Sequence, residues 1–517
     1  MKRVIKALFS RVFIVFLAIM LQVAFWAFIY IVLESNKYTS QILNIIMFIV
    51  SIGVIFKIIN KKQPESFKLP WIIIVLFFPV FGTFLFLLLG RSPISKKQAI
   101  IRRNIRREII TKMDNTREPI EKKLLESSKI AYGQSKYIFN TCSLPVCVNT
   151  KTEYLGNGSL FHEKMLEIID KAEKYILMEY FIMSEGEMLT SVLNALYKKK
   201  EEGVEIYIIY DDIGTLERFS PKLFKEVASK GIHIVKYNPF IPIVSVVHNN
   251  RDHRKITVVD GKYGLMGGIN IGDEYINKTH PYGYWKDSAL YLEGEAVNSL
   301  TCIFMENYNT TVKNESDRLL IKNFMHKNEL VVENGFVQPF SDGPAPVDED
   351  YIGYGVYSNL IDMAKDYINI TTPYLIINYD FLDSLCRASK RGVDVRIITP
   401  YIPDKKVTNI LTKSNYEMLI KAGVKIYEFV PGFIHAKNFI VDGEFAVCGT
   451  INVDYRSLVH HFECGCYMYH TNAVKQMKED FDHMIEKETI QIEEKSCHLP
   501  FFKRMLKDVV NLFSPLF

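Results

Sequence analysis

The sequence has no strong excess of charge of either sign. Across 517 residues, 63 Lys and Arg stand against 58 Asp and Glu, a net charge of +5. That near balance argues against a general nucleic-acid binder, whose surface is more uniformly basic. The eight cysteines include no Cys-x-x-Cys pair; Cys464 and Cys466 are one residue apart, Cys142 and Cys147 four. A structural zinc site therefore lacks its spacing, and the cysteines read as reduced thiols of an intracellular domain. Nor does a small-x-small cleavage site follow the first apolar run. That run is also too long for the core of a signal peptide.

What the N-terminus does have is hydrophobic length. Val12 to Leu33 is apolar except for Gln22, and about 20 such residues span a bilayer core. Ile42 to Ile59 is a weaker second span. Leu69 to Leu89 is a third apolar run, interrupted by Pro79 and Gly82. Basic residues flank these runs unevenly: Lys2, Arg3, Lys6 and Arg11 before the first, Lys57, Lys61, Lys62 and Lys68 after the second, and a collar from Arg91 to Lys112 after the third. Two crossings place the N-terminus and the Lys61 loop in the cytoplasm. The third run either crosses or, broken at Pro79-Val-Phe-Gly82, enters and returns so that both basic flanks stay inside. The collar Lys96–Lys112 reads as helical, either a solvated linker or a clamp on anionic headgroups, the latter at about 1 kcal/mol per basic residue.

From about residue 135 short β-branched runs alternate with helical segments, and the series occurs twice. Tyr175–Ile182 matches Tyr367–Ile376, Gly203–Tyr210 matches Gly392–Thr399, and Gly231–Tyr237 matches Gly423–Phe429. Near-continuous apolar runs after a Gly are strands buried on both faces of an α/β sheet. The expected organisation is two transmembrane helices in 1–60, then a crossing or re-entrant apolar segment and basic linker in 61–115. Two α/β repeats follow in 116–312 and 346–490, with a connector, 313–345, containing the turn-rich Ser341-Asp-Gly-Pro-Ala-Pro346. An amphipathic tail occupies 491–517, packing either on the repeats or on a membrane surface.

One motif organises the duplication. His253-x-Lys255-x₄-Asp260 is followed by Gly267-Gly-Ile-Asn270, and His435-x-Lys437-x₄-Asp442 by Gly449-Thr-Ile-Asn452. Each His-to-Asp segment reads as a strand with His and Lys on one face. An imidazole beside an ammonium is costly in a plain core but gains from a phosphate over both. The Lys neutralises phosphate oxygens and one His attacks phosphorus, while the other protonates the leaving alkoxide and then deprotonates the incoming hydroxyl. Asp260 and Asp442 differ in parity from the His and are given a supporting role in an Asp-Gly turn. Asn270 and Asn452 are candidate donors to phosphate oxygens. Asp287 and Glu463, each on the strand after its Gly-x-x-Asn turn, are candidates to fix an imidazole tautomer. The two Lys supply the positive charge a metal otherwise would, so no metal or cofactor is expected.

The duplicated motif is identified as the signature of the phospholipase D superfamily. Arg251–Ile256, Gly267–Tyr275, Trp285-Lys-Asp287, Thr372–Leu375, Gly449–Ser457, Phe462-Glu463, the N-terminal Trp71…Pro79-Val-Phe-Gly82…Gly90-Arg91 and the terminal Leu512–Phe517 resemble bacterial cardiolipin synthases. The resemblance implies two pseudo-symmetric phospholipase D-like repeats forming one catalytic domain behind an α-helical membrane region. It implies a multi-pass protein of the bacterial inner membrane with its catalytic domain on the cytoplasmic side. The substrate is phosphatidylglycerol among anionic lipids, with no nucleic acid, and two molecules become cardiolipin and glycerol. His253 is placed as nucleophile and His435 as acid/base by the same similarity. The alternative is a phospholipase D using water as acceptor; a nuclease is a more distant one. Three positions depart from the family: His461 stands where an Asn is usual, Ser184 where an Asp is, and Asn378 where Pro or Asp is.

Overall fold

The computed structural model describes residues 37–89, 96–239, 250–326, 333–345 and 347–497, with isolated positions outside them. The chain divides into two compact units. One holds residues 1–93 with 240–249; the other holds 94–239 and 250–515. The apolar run 12–33 and the C-terminal tail beyond 497 lie almost wholly outside the described residues.

In the first unit, helix α1 spans Lys37–Ile59, α2 Glu65–Phe77 and α3 Pro79–Leu89. Pro79 has no N–H and disfavours a helical Phe78, which adopts φ −132° and ψ 74° and ends α2. The rings of Trp71 and Phe86 then lie 5.5 Å apart. A continuous helix would separate those positions by about 22 Å, so α2 and α3 fold back as a hairpin. Gly82 is required at this crossing: a Cβ there would sit 2.6 Å from the Ile74 carbonyl oxygen and 2.7 Å from Val75 Cα. Val54, Ile58, Val75 and Phe86 form the small core of this unit. Among the described residues no helix is long and apolar enough to cross a membrane.

In the second unit, helix α4 spans Lys96–Ser127, so the basic collar is helical. One stripe of it faces protein, so neither a solvated linker nor a headgroup clamp describes the whole helix. Ala99, Arg102, Ile105 and Arg106 are buried at helical spacing. Arg106 pairs with Glu306 at 2.7 Å and Asp348 at 2.6 Å. Arg102 donates to Asn307 and stacks 4.4 Å over the Phe462 ring. The opposite face, with Lys97, Arg103 and Arg107, is exposed.

The strands of the first repeat are β1 Thr150–Leu155, β2 Tyr175–Tyr180, β3 Glu205–Asp211, β4 His233–Tyr237, β5 Lys255–Val259, β6 Tyr263–Gly267, β7 Tyr284–Lys286 and β8 Ala289–Gly294. Those of the second are β9 Phe336–Asp342, β10 Tyr367–Thr371, β11 Leu375–Ile376, β12 Asp394–Pro400, β13 Lys425–Phe429, β14 Gly432–Ile434, β15 Asn438–Val441, β16 Phe445–Gly449, β17 Val453–Asp454, β18 Glu463–Tyr469 and β19 Thr489–Gln491. The first sheet runs β1-β8-β6-β5-β2-β3-β4. The second runs β9-β18-β16-β15-β10-β12-β13, with β19 added at its edge. Strand for strand the order is the same, so the duplication read from sequence is a duplication of fold. In both sheets three neighbouring strands are parallel, β2-β3-β4 and β10-β12-β13, and the other pairings are antiparallel. β9 lies within the expected connector, and Ser341-Asp342 is strand rather than turn, paired through Asp342 to Glu463.

Among the contacts that join the repeats are two short backbone pairings. β7 pairs in parallel with β14, Trp285 opposite Phe433, and Asp252 forms an isolated bridge with Phe462. Both histidine motifs begin at these seams. The expectation that each His lies within its strand is therefore corrected: β5 begins at Lys255 and β15 at Asn438, leaving His253 and His435 just before them.

Candidate active site

Each histidine is held by the opposite repeat, first through its backbone. His253 N donates to the Phe462 carbonyl at 2.9 Å, and His435 N donates to the Lys286 carbonyl at 2.7 Å. Phe462 and Lys286 immediately precede Glu463 and Asp287. The backbone seams thus deliver each carboxylate to the imidazole of the other repeat. His253 Nδ1 lies 3.0 Å from both Glu463 oxygens, and His435 Nδ1 lies 2.6 Å from Asp287 Oδ2. An ionised carboxylate only accepts, so Nδ1–H of His253 donates and its Nε2 carries the free lone pair; His435 Nδ1 has both the Asp287 acceptor and the Lys437 ammonium beside it, so it has a partner in either tautomer. Sequence order placed each carboxylate after its own repeat's histidine; the exchange between repeats was not legible there.

The lysines sit under the same imidazoles. Lys255 Nζ donates to the His253 carbonyl at 2.5 Å and lies 5.3 Å over the Phe181 ring. Lys437 Nζ donates to the His435 carbonyl and lies 2.7 Å from His435 Nδ1. All four side chains are buried. Burial pushes the His253 imidazole down to about 3 and His435 down to about 4, with neighbouring Lys charge adding to the effect. Burial likewise lowers Lys255 to about 7 and Lys437 to about 8. Burial alone would raise Glu463, but the imidazoles beside it outweigh that and hold it below the usual carboxylate range. Lys255 interacts electrostatically with Lys437 and with both carboxylates. The two motifs therefore share one electrostatic site.

The other predicted residues divide. Asp260 and Asp442, grouped with the catalytic motif but given a supporting role in the turn, both bind backbone N–H groups of a neighbouring strand. Asp260 accepts from the N–H groups of Glu173, Lys174 and Tyr175 at 2.7–2.9 Å. Asp442 accepts from Lys365, Asp366 and Tyr367 at 2.8–2.9 Å. Each pins the start of the neighbouring strand from a left-handed turn position, φ 54°. Asn270 does not simply face a phosphate: its Oδ1 accepts from Ile182 N and its Nδ2 donates to the Tyr275 hydroxyl at 2.6 Å. Asn452 is buried with no hydrogen bond to Oδ1.

Gly268 and Thr450 hold equivalent positions and break the symmetry. A Cβ at Gly268 would lie 2.2 Å from Asp287 Oδ1, so only glycine leaves room for that carboxylate. Thr450 instead donates through Oγ1 to Glu463 Oε2. Thr450 was in view in Gly449-Thr-Ile-Asn452, but its target came from the fold. His461 lies beside the first pair, its ring 5.5 Å from that of His253 and its Nδ1 3.6 Å from Glu463 Oε1.

Two matched α/β repeats with His-Lys pairs meeting at their seam define a phospholipase D-like architecture. The family described as "Cardiolipin synthase, PLD-like domain" matches residues 165–306 and 357–485, and "Phospholipase_D-nuclease N-terminal" matches 42–91. A cardiolipin synthase of Alkalihalophilus pseudofirmus is 30% identical over 90% of this chain and 92% of its own length. One of Geobacillus kaustophilus is 31% identical over 94% and 96%. An uncharacterized protein of Streptococcus mutans is 40% identical over 90% and 100%. The crystal structure of a phosphatidylserine synthase from Haemophilus influenzae superposes with a TM-score of 0.56 at 17% identity, over 74% of this chain and all of that one, a likeness of fold. The chain belongs to the bacterial cardiolipin synthase family of the phospholipase D superfamily.

Proposed function

We propose that this chain is a membrane phosphatidyltransferase that converts two phosphatidylglycerols to cardiolipin and glycerol. The observation that carries it is the crossed pairing of His253 with Glu463 and His435 with Asp287 over two buried lysines. The relatives named cardiolipin synthase, matched over nearly their whole length, support the substrate.

In this reading, the phosphodiester of the first lipid lies over Lys255 and Lys437, which offset its charge. The neutral His253 attacks phosphorus through Nε2. A P–N bond forms and the bond to the glycerol oxygen breaks, with His435 Nε2–H giving that oxygen its proton. The phosphodiester anion supplies the negative charge that lets His435 hold a proton in a site that otherwise favours its neutral form. The terminal hydroxyl of the second lipid then gives its proton to His435 and attacks phosphorus. The P–N bond breaks and cardiolipin forms.

Membrane attachment belongs to the same proposal. Ile45, Phe48, Ile49 and Phe56 of α1, and Leu69, Leu76, Phe77 and Phe84 of the hairpin, are exposed. Such a concentration of exposed apolar side chains marks a surface covered by something apolar, here lipid. The hairpin returns the chain to the side from which it enters, which favours a cytoplasmic catalytic unit.

The test is to incubate purified protein in vesicles with labelled phosphatidylglycerol and EDTA. Cardiolipin and glycerol in equal amounts are expected. Phosphatidic acid as the sole labelled product overturns transfer in favour of hydrolysis. Label recovered on His435 rather than His253 in a digest of the wild-type protein reverses the two roles.

A further inference from the structure

We propose that His253, Glu463 and His461 form a binding site for Zn²⁺ or a similar transition metal ion, and that the ion switches the nucleophile off. One donor atom from each of the three lies within 4.8 Å of the others. His253 Nδ1 and His461 Nδ1 stand 3.0 and 3.6 Å from the same oxygen, Glu463 Oε1. These values bracket the ligand–ligand edge of about 3.3 Å expected for a tetrahedral zinc with bonds near 2.0 Å. Two imidazoles, one carboxylate and an open fourth position make a familiar ligand set for this ion.

His461 is the residue that makes the site. Its buried Nδ1 faces Glu463 Oε1 at 3.6 Å, longer than a hydrogen bond, and makes no other hydrogen bond. A single turn of π-helix, Arg456–His460, sets it there by donating His461 N to the Arg456 carbonyl at 2.9 Å. Such turns concentrate at functional sites. The carboxylate is braced on its far side by Thr450, and Arg254 Nε donates to the Glu463 carbonyl at 3.3 Å.

The chemistry of the switch follows from the tautomer. In the metal-free site Nδ1–H faces Glu463 and Nε2 holds the lone pair for attack. A metal on Nδ1 takes the place of that proton, and the neutral imidazole then carries its proton on Nε2. The nucleophilic lone pair is gone. No bond is made to substrate and no electron is transferred, so removing the ion restores the enzyme. Lys255, held at the His253 carbonyl, opposes a second cation and keeps the affinity moderate, as a reversible switch requires.

The binding claim is independent of the reaction; the inhibition claim rests on the proposed transfer. Co²⁺ is titrated into the full-length protein in detergent and visible absorption is recorded. A tetrahedral d–d band is expected with wild type and with His435→Ala, and none with His461→Asn. Absence of the band in wild type, or an equal band in His461→Asn, overturns the site. Lipid transfer is then followed with Zn²⁺ added. A fall of about tenfold or more, reversed by EDTA and absent in His461→Asn, is expected. A cobalt band with transfer unaffected by Zn²⁺ overturns the switch. A cobalt band in a protein that makes no cardiolipin leaves the site standing and sinks the reaction.

Discussion

Glu463 of the second repeat accepts from Nδ1 of His253 of the first, with both carboxylate oxygens 3.0 Å away. A hydrogen bond of this charged kind contributes about 1.5–3 kcal/mol and fixes which ring nitrogen is free. Glu463→Gln keeps the shape but gives Nδ1 a neutral partner that can also donate. Transfer in phosphatidylglycerol vesicles is expected to fall at least about a hundredfold, with the folded protein unchanged by circular dichroism. A loss smaller than about threefold would sink the orienting role.

The lysines set the alkaline limb of activity. Burial brings Lys255 down to about 7 and Lys437 to about 8. As pH rises through those values each ammonium loses its charge, and the site loses its hold on the anionic phosphodiester. The rate constant kcat/KM is therefore expected to decline from about pH 7 upward. Arginine stays charged through this range, so Lys255→Arg moves that limb to higher pH even where the maximal rate drops. On the acid side, imidazoles lowered to about 3 and 4 stay neutral in the empty site through pH 5. A profile flat to pH 9 would count against the lysines.

Asp260 is expected to be a stability residue. Asp260→Ala strips acceptors from three backbone N–H groups at the start of β2. A loss of about 3 kcal/mol and a Tm about 5 °C lower are expected by thermal unfolding. The turnover of the protein that remains folded stays within about threefold of wild type. A collapse of turnover at unchanged Tm would return Asp260 to the chemistry.

Gly268→Ala reaches the site from behind. The new methyl group would overlap Asp287 Oδ1 and push it off His435. Transfer is expected to fall about a hundredfold or more. Gly203→Ala, at a turn with nothing within 4 Å of the new carbon, serves as the control for general glycine strain.

Helix α4 separates packing from lipid binding. Arg106→Ala leaves Glu306 and Asp348 buried without their cation, at a cost of about 3–5 kcal/mol. Failure to accumulate is the expected outcome, read by expression and limited proteolysis. Arg107→Ala, on the exposed face, keeps the fold and weakens binding of the catalytic unit to anionic vesicles by about 1 kcal/mol. Equal expression of the two variants would contradict this division.

Much of this was legible because it is local. Gly203, Gly231, Gly392 and Gly423 each precede a strand that the structure contains, and the two motifs sit where the repeat predicts. What stayed hidden was long-range. Nothing in the spacing of His253 and Asp287 reveals that Asp287 serves His435, because the seam at β7 and β14 makes that choice. A run rich in Arg looks the same whether it faces headgroups or, like Arg102 and Arg106, faces Asn307 and Glu306. Asp260 shares its motif with His253 yet serves the start of β2, at the other end of β5.

The parallel seam of β7 with β14 has a further consequence. Because each half lends the other its carboxylate, neither half is a weaker version of the whole. The halves behave as two keys to one lock. Any force that parts them, however slightly, disarms both imidazoles at once.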